Sequence, residues 1–170
     1  MAKLFSRRSE ISLARLEPDD SDSLQQLHAR VFPPGWDAAA FANFLHDPHG
    51  IGFAARTTDK PKKLNGFVLE RQVAGEAEIL SIAVAPESRR KGIGHALMDA
   101  LLRQLYQERV QTLFLEVDEH NRAARALYRH FGFVETGRRS GYYQSAGKRT
   151  DALILRRDFK HPDDRLFNEL

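Results

Sequence analysis

The chain predicts an α/β fold: a mixed, mostly antiparallel sheet of about seven strands flanked by four helices. Three observations carry this. Apolar residues change period along the chain in the order β, α, α, β, β, β, α, β, α, β, β. Short turns join the three middle strands, which leaves them no choice but antiparallel pairing. A strand, helix, strand, helix run follows, which is the connection a parallel step requires.

The elements read in order as follows. Ile11 and Leu13 alternate with polar neighbours as an opening strand, and a polar stretch from Glu17 to Ser21 leads into Leu24, Leu27, Val31 and Phe32 at helical spacing. Phe32-Pro33-Pro34-Gly35 breaks that helix, and Asp37 caps a second one with Phe41, Phe44 and Leu45 on its apolar face. Strands are expected over 51–56, 64–73 and 77–84, with Lys60-Pro61 and Ala74-Gly75 as turns. From Gly92 onward Ile93, Ala96, Leu97, Ala100, Leu101 and Leu105 share one face of a long helix. A strand at 112–117, a helix at 121–131 through Ala124, Leu127, Tyr128 and Phe131, and strands at 133–138 and 152–156 complete the order.

With 170 residues, 42% hydrophobic, the chain suits a single domain over 1–157 followed by a polar tail, 158–170. Lys+Arg 26 against Asp+Glu 23 gives +3, too little for a protein that coats nucleic acid. No direct nucleic-acid contact is expected. The absence of cysteine excludes disulfides, thiolate metal sites and any acyl-cysteine intermediate. No apolar run approaches the ~20 residues of a membrane span, and a soluble, cytoplasmic protein without membrane contact is expected.

The most informative segment is Ser81-Ile82-Ala83-Val84-Ala85-Pro86-Glu87-Ser88-Arg89-Arg90-Lys91-Gly92-Ile93-Gly94-His95-Ala96, a strand that hands over through an Arg-x-x-Gly-x-Gly turn to a helix. Glycines let the backbone bend so that successive N–H groups face one ligand, and the positive end of the helix dipole adds to Arg89, Arg90 and Lys91. Taken alone, the turn is either a pyrophosphate cradle or a basic surface turn. It lacks the Gly-Lys-Ser/Thr of a P-loop, and Leu97 stands where a dinucleotide fingerprint has its third glycine. Glu116 projects with Phe114 to the face opposite Leu113, Leu115 and Val117, where a carboxylate in a sheet otherwise built of apolar residues is costly without a purpose. By spacing it is either a proton acceptor or a sheet-edge carboxylate. Tyr128 lies on the apolar face of its helix, where a core tyrosine with a wet hydroxyl is the simpler reading.

A second block, Leu113-Phe114-Leu115-Glu116-Val117 followed by Asn121-Arg122-Ala123-Ala124-Arg125-Ala126-Leu127-Tyr128-Arg129-His130-Phe131-Gly132-Phe133, supports the cradle. Together the two blocks resemble the GNAT acetyltransferases, and within them the RimI branch of ribosomal-protein alanine N-acetyltransferases. That branch carries Leu-Glu-Val, Asn-x-x-Ala-x-x-Leu-Tyr and Gly-Phe in this order. The resemblance runs from about Ile11 to Arg156 and includes Phe32-Pro33-Pro34-Gly35-Trp36 and Arg138-Arg139-Ser140-Gly141-Tyr142-Tyr143. Gln144 departs from the proline that often follows the tyrosine pair.

The resemblance implies the GNAT fold, with acetyl-CoA as co-substrate and no metal, wedged where two central strands splay. It implies that Ile82, Ala83 and Val84 hold the acetyl and pantetheine arm, that the turn of Arg89, Arg90, Lys91, Gly92, Ile93, Gly94 and His95 holds the pyrophosphate, and that Asn121 touches the pantetheine or a water. It makes Glu116 the base and Tyr128 the acid, and places Phe32 and Trp36 on one side of an acceptor groove with Tyr142 and Tyr143, in a loop, on the other. The acceptor it implies is a protein N-terminus, with a small-subunit ribosomal protein as partner. A lysine side chain or small-molecule amine as acceptor, and a non-catalytic CoA-binding module, are the alternatives. His46 and His49 flank a turn and read as loop histidines rather than metal ligands, and the doublets Arg138-Arg139, Lys148-Arg149 and Arg156-Arg157 read as solvated strand ends rather than an RNA track.

Overall fold

The computed structural model describes residues 10–145 and 147–161. Its elements are β1 (Ile11–Arg15), α1 (Ser21–Val31), α2 (Ala38–His46), β2 (Gly50–Thr57), β3 (Gly66–Val73), β4 (Glu76–Val84), α3 (Ile93–Gln107), β5 (Thr112–Asp118), α4 (Arg122–His130), β6 (Val134–Ser145) and β7 (Lys148–Asp158). The strands form one sheet in the order β1-β2-β3-β4-β5-β7-β6. Among the described strands only β4 and β5 run parallel, linked by α3 as the crossover.

Helices cover both faces. Ile93, Leu97, Met98, Leu101 and Leu105 of α3 pack with Val68, Ile79, Leu113, Leu115 and Leu153 on one side of the sheet. Leu24 and Leu27 of α1 and Phe41 and Phe44 of α2 pack with Phe67 and Leu69 on the other. Each such side chain contributes about 1.5–3 kcal/mol by leaving water. Asp37 caps α2 as expected, its Oδ1 accepting from the Ala40 N–H at 2.8 Å.

The parallel pairing is short. It runs from Glu76 opposite Thr112 to Ile79 opposite Leu115 and stops there. Beyond that rung β4 continues with β3 as far as Val84, and β5 continues with β7 as far as Asp118. The register of β3 on β4 shifts between Leu69 and Glu70 at the same level, which turns the end of β4 away. The two central strands therefore part like a V whose mouth faces the start of α3.

The last two strands exceed the expected ranges, since β6 runs on to Ser145 and β7 begins at Lys148. Gly141 looks like a turn residue in sequence. In the fold it sits at φ +62°, within the register shift between Arg139 and Tyr143, and its N–H donates to Asp151 Oδ1 at 3.0 Å, so the hairpin continues past it. Tyr142 and Tyr143 accordingly lie on a strand rather than in a loop. Beyond Asp158 the packing extends through buried Phe159 and His161, while residues 162–170 of the expected tail, like 1–9, lie outside the described residues. Among the described residues no helix is long and apolar enough to cross a membrane.

Candidate active site

The turn between β4 and α3 is built from underneath. The buried Asn65 Nδ2 donates to Ser88 Oγ at 2.9 Å, and the Asn65 carbonyl accepts from the Ala85 N–H at 2.8 Å. Lys63 and Arg30 both bond to Glu87, at 2.9 and 2.8 Å, and hold its carboxyl down to about 2. On this base the chain turns through two left-handed residues, Arg90 at φ +58° and Gly92 at φ +82°. Open space surrounds the Gly92 α-carbon, and among the described residues no side chain caps α3. The first amides of a 15-residue helix are thus left to face an anion.

The side chains of this turn have other partners. Arg89 Nε donates to the Val84 carbonyl at 3.4 Å, and Lys91 Nζ donates to the Glu87 carbonyl at 2.9 Å. Ile93 is buried in the core, and the His95 ring packs on His130 and Phe131, with centroids 4.8 and 5.5 Å away. Ala83 is buried as well, and Ile82 and Val84 are partly buried, so 82–84 offer backbone rather than side chains to the V. Asn121 is the N-cap of α4: its Oδ1 accepts from the Ala124 N–H at 3.1 Å, a role the spacing did not disclose.

Glu116 is the first residue of β5 past the last rung shared with β4. β5 is central, so the sheet-edge reading does not hold. Nor is the surrounding face apolar: Asp118, Arg139 and Arg156 stand on it with Phe114. Glu116 Oε1 pairs with Arg139 Nε at 3.1 Å, and Arg139 in turn lies over the Tyr142 ring, 5.4 Å from its centroid. Tyr143 is half-buried, and burial first, then the charge of Glu116, pushes its hydroxyl up. Tyr128 is 4% exposed, with its ring 5.7 Å from that of Phe133. Burial, then Tyr143, holds the Tyr128 hydroxyl far above the usual tyrosine range. Glu116, Tyr143 and Tyr128 are therefore electrostatic neighbours at the V, although they come from β5, β6 and α4.

On the α1–α2 layer, Phe32 is 40% exposed and Trp36 is partly buried. Both rest on His28, a residue the sequence did not single out. Its Nδ1 accepts from the Trp36 N–H at 3.2 Å, and its ring lies 5.0 Å from Phe32, 5.4 Å from Trp36 and 5.4 Å from Phe41. Burial lowers its pKa and keeps the imidazole neutral. The only sequence signal was its place four residues after Leu24 on the buried stripe of α1.

Of the other basic residues of β6 and β7, Arg138 and Arg156 stay about half exposed, as strand-end residues, and each has a carboxylate partner. Arg138 pairs with Glu135 at 2.8 Å and Glu119 at 3.5 Å, and Arg156 pairs with Asp158 at 2.8 Å. His46 Nδ1 lies 2.7 Å from the Ala42 carbonyl, and the His49 N–H donates to Asp47 Oδ1 at 2.9 Å. Among the described residues no three His, Asp or Glu side chains converge as a metal site.

Comparison with known proteins agrees with this geometry. Residues 21–133 match the model of the acetyltransferase (GNAT) family. The [ribosomal protein bS18]-alanine N-acetyltransferase of Escherichia coli K12 is 32% identical over 144 residues, which cover 85% of this chain and 95% of that protein. The N-alpha-acetyltransferase RimI of Mycobacterium tuberculosis is 34% identical over 155 residues, 89% of this chain and 95% of its own. The crystal structure of the Escherichia coli ribosomal-protein-S18-alanine N-acetyltransferase superposes with a TM-score of 0.83 at 30% identity, covering 89% of this chain and 96% of that one. With the parted strands, the uncapped helix start and relatives of this extent, the chain belongs to the GNAT family of acetyl-CoA-dependent N-acetyltransferases.

Proposed function

We propose that the protein transfers the acetyl group of acetyl-CoA to the N-terminal α-amino group of a protein, a small-subunit ribosomal protein beginning with alanine, in the cytoplasm. The observation that carries this reading is the place of Glu116: one residue past the Ile79–Leu115 rung, half-buried at the mouth of the V. The acceptor comes from the kinship to the bS18-alanine acetyltransferases.

Acetyl-CoA supplies an activated thioester carbonyl. The residues present fit it: the end of β4 at 82–84, open on its β5 side, would hold the arm along its backbone, and the amides from Arg89 to Gly94 would hold the pyrophosphate at the start of α3. The low α-amino pKa of ~7.7–8.0 leaves a usable share of the acceptor as neutral amine, and Glu116 accepts the proton that its nitrogen sheds as the C–N bond forms. Tyr128, kept protonated by its burial, donates its hydroxyl proton to the sulfur as the C–S bond breaks. Phe32 and Trp36 on one side and Tyr142 and Tyr143 on the other flank the acceptor's first residues. With no cysteine in the chain, transfer is direct within a ternary complex.

CoA release from acetyl-CoA tests the acceptor, with three conditions: a free N-terminal Ala peptide, its blocked form carrying an internal lysine, and no peptide. Turnover with the free N-terminus alone is expected. Turnover with the blocked peptide would assign lysine instead, and binding of acetyl-CoA without turnover on either would remove the α-amine reading.

A further inference from the structure

Arg139 reaches the proposed base from two strands away. In the register of the sheet, Asp118 stands opposite Ala152 and Ala152 opposite Arg139, while Glu116 stands opposite Ile154 and Ile154 opposite Gly137. All these positions except the glycine's point their side chains to one face. The route from Arg139 to Glu116 therefore crosses β7 above Ala152, whose methyl leaves the guanidinium room. The ion pair at 3.1 Å spans that gap, and the guanidinium also covers the Tyr142 ring at 5.4 Å. Arg139 is 55% exposed at its side chain while Glu116 is only 21% exposed. The guanidinium is thus the solvent-facing member of the pair, whereas the carboxylate sits where the strand fixes it.

Resting on the α-amine reading above, we infer that Arg139 is a positioning residue that charge-balances Glu116 and so admits the acceptor as a neutral amine. A free N-terminus arrives largely as ammonium below its pKa of ~7.7–8.0. Beside an unopposed carboxylate that ammonium would settle as an ion pair, with its lone pair occupied by the proton and unavailable to the carbonyl. Arg139 already occupies the carboxylate, so the cation gains little there and the neutral amine is the form that proceeds. As its nitrogen bonds to the acetyl carbon it gives a proton to Glu116, and the adjacent guanidinium then favours loss of that proton to solvent.

The other charged or titratable groups on this face do not serve. Asp118, next along β5, accepts from Thr150 Oγ1 and the His120 N–H, each at 2.8 Å. Arg156 of β7 is held by Asp158. Tyr143 of β6 is held neutral by burial and by Glu116 itself, and His28 of the helical layer is neutral.

The test is Arg139→Gln, with Arg139→Met as a second uncharged variant and Arg139→Lys as the charge-keeping control. Near pH 6.5 the uncharged variants are expected to bind the acceptor peptide more tightly and turn it over more slowly, KM and kcat both falling about tenfold. Near pH 9, where the amine is neutral, kcat should return to within about twofold of the parent. The lysine variant should follow the parent at both pH values. An N-terminally dimethylated peptide, cationic and unreactive, should bind the CoA complex of Arg139→Gln about tenfold more tightly than that of the parent. A fall in kcat independent of pH with KM unchanged or raised, equal failure of the lysine variant, or unaltered binding of the dimethylated peptide would overturn the inference. If the unsubstituted protein acetylates no free N-terminus, the acceptor assignment fails instead, and the Arg139 measurements pass to whichever amine releases CoA, since they concern the charge of the acceptor.

Discussion

Ile79 of β4 and Leu115 of β5 form the last rung the two central strands share, and every candidate catalytic group stands around the opening beyond it. The rung fixes where β5 parts from β4 while β7 stays paired on its other side. A carboxylate one position earlier would be locked inside the paired region, and one position later would point to the α3 face. Glu116→Gln keeps the shape and the strand and removes the proton acceptor. Its kcat should fall about 10²–10⁴-fold with acetyl-CoA affinity retained, and the deficit should persist across the pH range, because the neutral amine must shed a proton on acylation at every pH. Steady-state rates from about pH 6.5 to pH 9 check this, and a variant with full activity would remove Glu116 from the mechanism.

Tyr128→Phe separates leaving-group protonation from acetyl-CoA binding. The buried hydroxyl titrates far above the usual tyrosine range, so it remains a donor throughout the working range. The parent should accordingly show no alkaline fall in kcat up to about pH 10 that disappears in the phenylalanine variant. The variant should lose about 10²-fold in kcat with little change in KM for acetyl-CoA. A pH limb present only in the parent would show that the hydroxyl ionises within the working range.

Gly92→Ala tests the helix-start cradle. The new methyl meets open space, so its cost is the left-handed backbone at φ +82°, about 1–2 kcal/mol, relieved by a shift of the amides around it. KM for acetyl-CoA should rise about threefold or more, on the scale of a helix-terminus interaction. KM for acetyl-pantetheine, which has no pyrophosphate, should stay close to the parent's. Equal losses for both would place the pyrophosphate elsewhere.

Local signals carried most of this fold into the sequence. Asp37 followed by an apolar run marks a helix start, Gly92 before a long amphipathic stripe marks another, and both sit where expected. Contacts that need a third strand were illegible. Arg139 and Glu116 meet only because β7 inserts between β5 and β6, and nothing local to Arg138-Arg139 distinguishes a reaching guanidinium from a solvated one. The strand expected over 133–138 runs on to Ser145 through a bulge at Gly141, whose left-handed backbone would serve a turn equally well. His28 was hidden by its type, since a neutral histidine fills an apolar position without breaking the stripe.

Glu70 was hidden too, as an acidic residue inside a strand, yet it is 0% exposed and among the described residues neither of its carboxyl oxygens meets a donor. It stands opposite Ile51 and Ile79, beneath the far end of α3 from the cradle. Burial first, then the charge of Glu108, pushes its pKa from 4.5 up to about 8, against a smaller opposing pull from Arg15. The folded protein therefore holds this proton more tightly than the unfolded chain. Between about pH 4.5 and pH 8 the unfolded chain releases the proton while the folded one keeps it, so stability falls as pH rises through that window and levels off above it. Glu70→Gln keeps the volume and abolishes the titration. Urea unfolding at the two ends of the window should find the variant little different from the parent at the acid end and more stable at the alkaline end, by an amount on the order of a few kcal/mol. A difference that stays constant across the window would show that Glu70 titrates normally and has water access in solution.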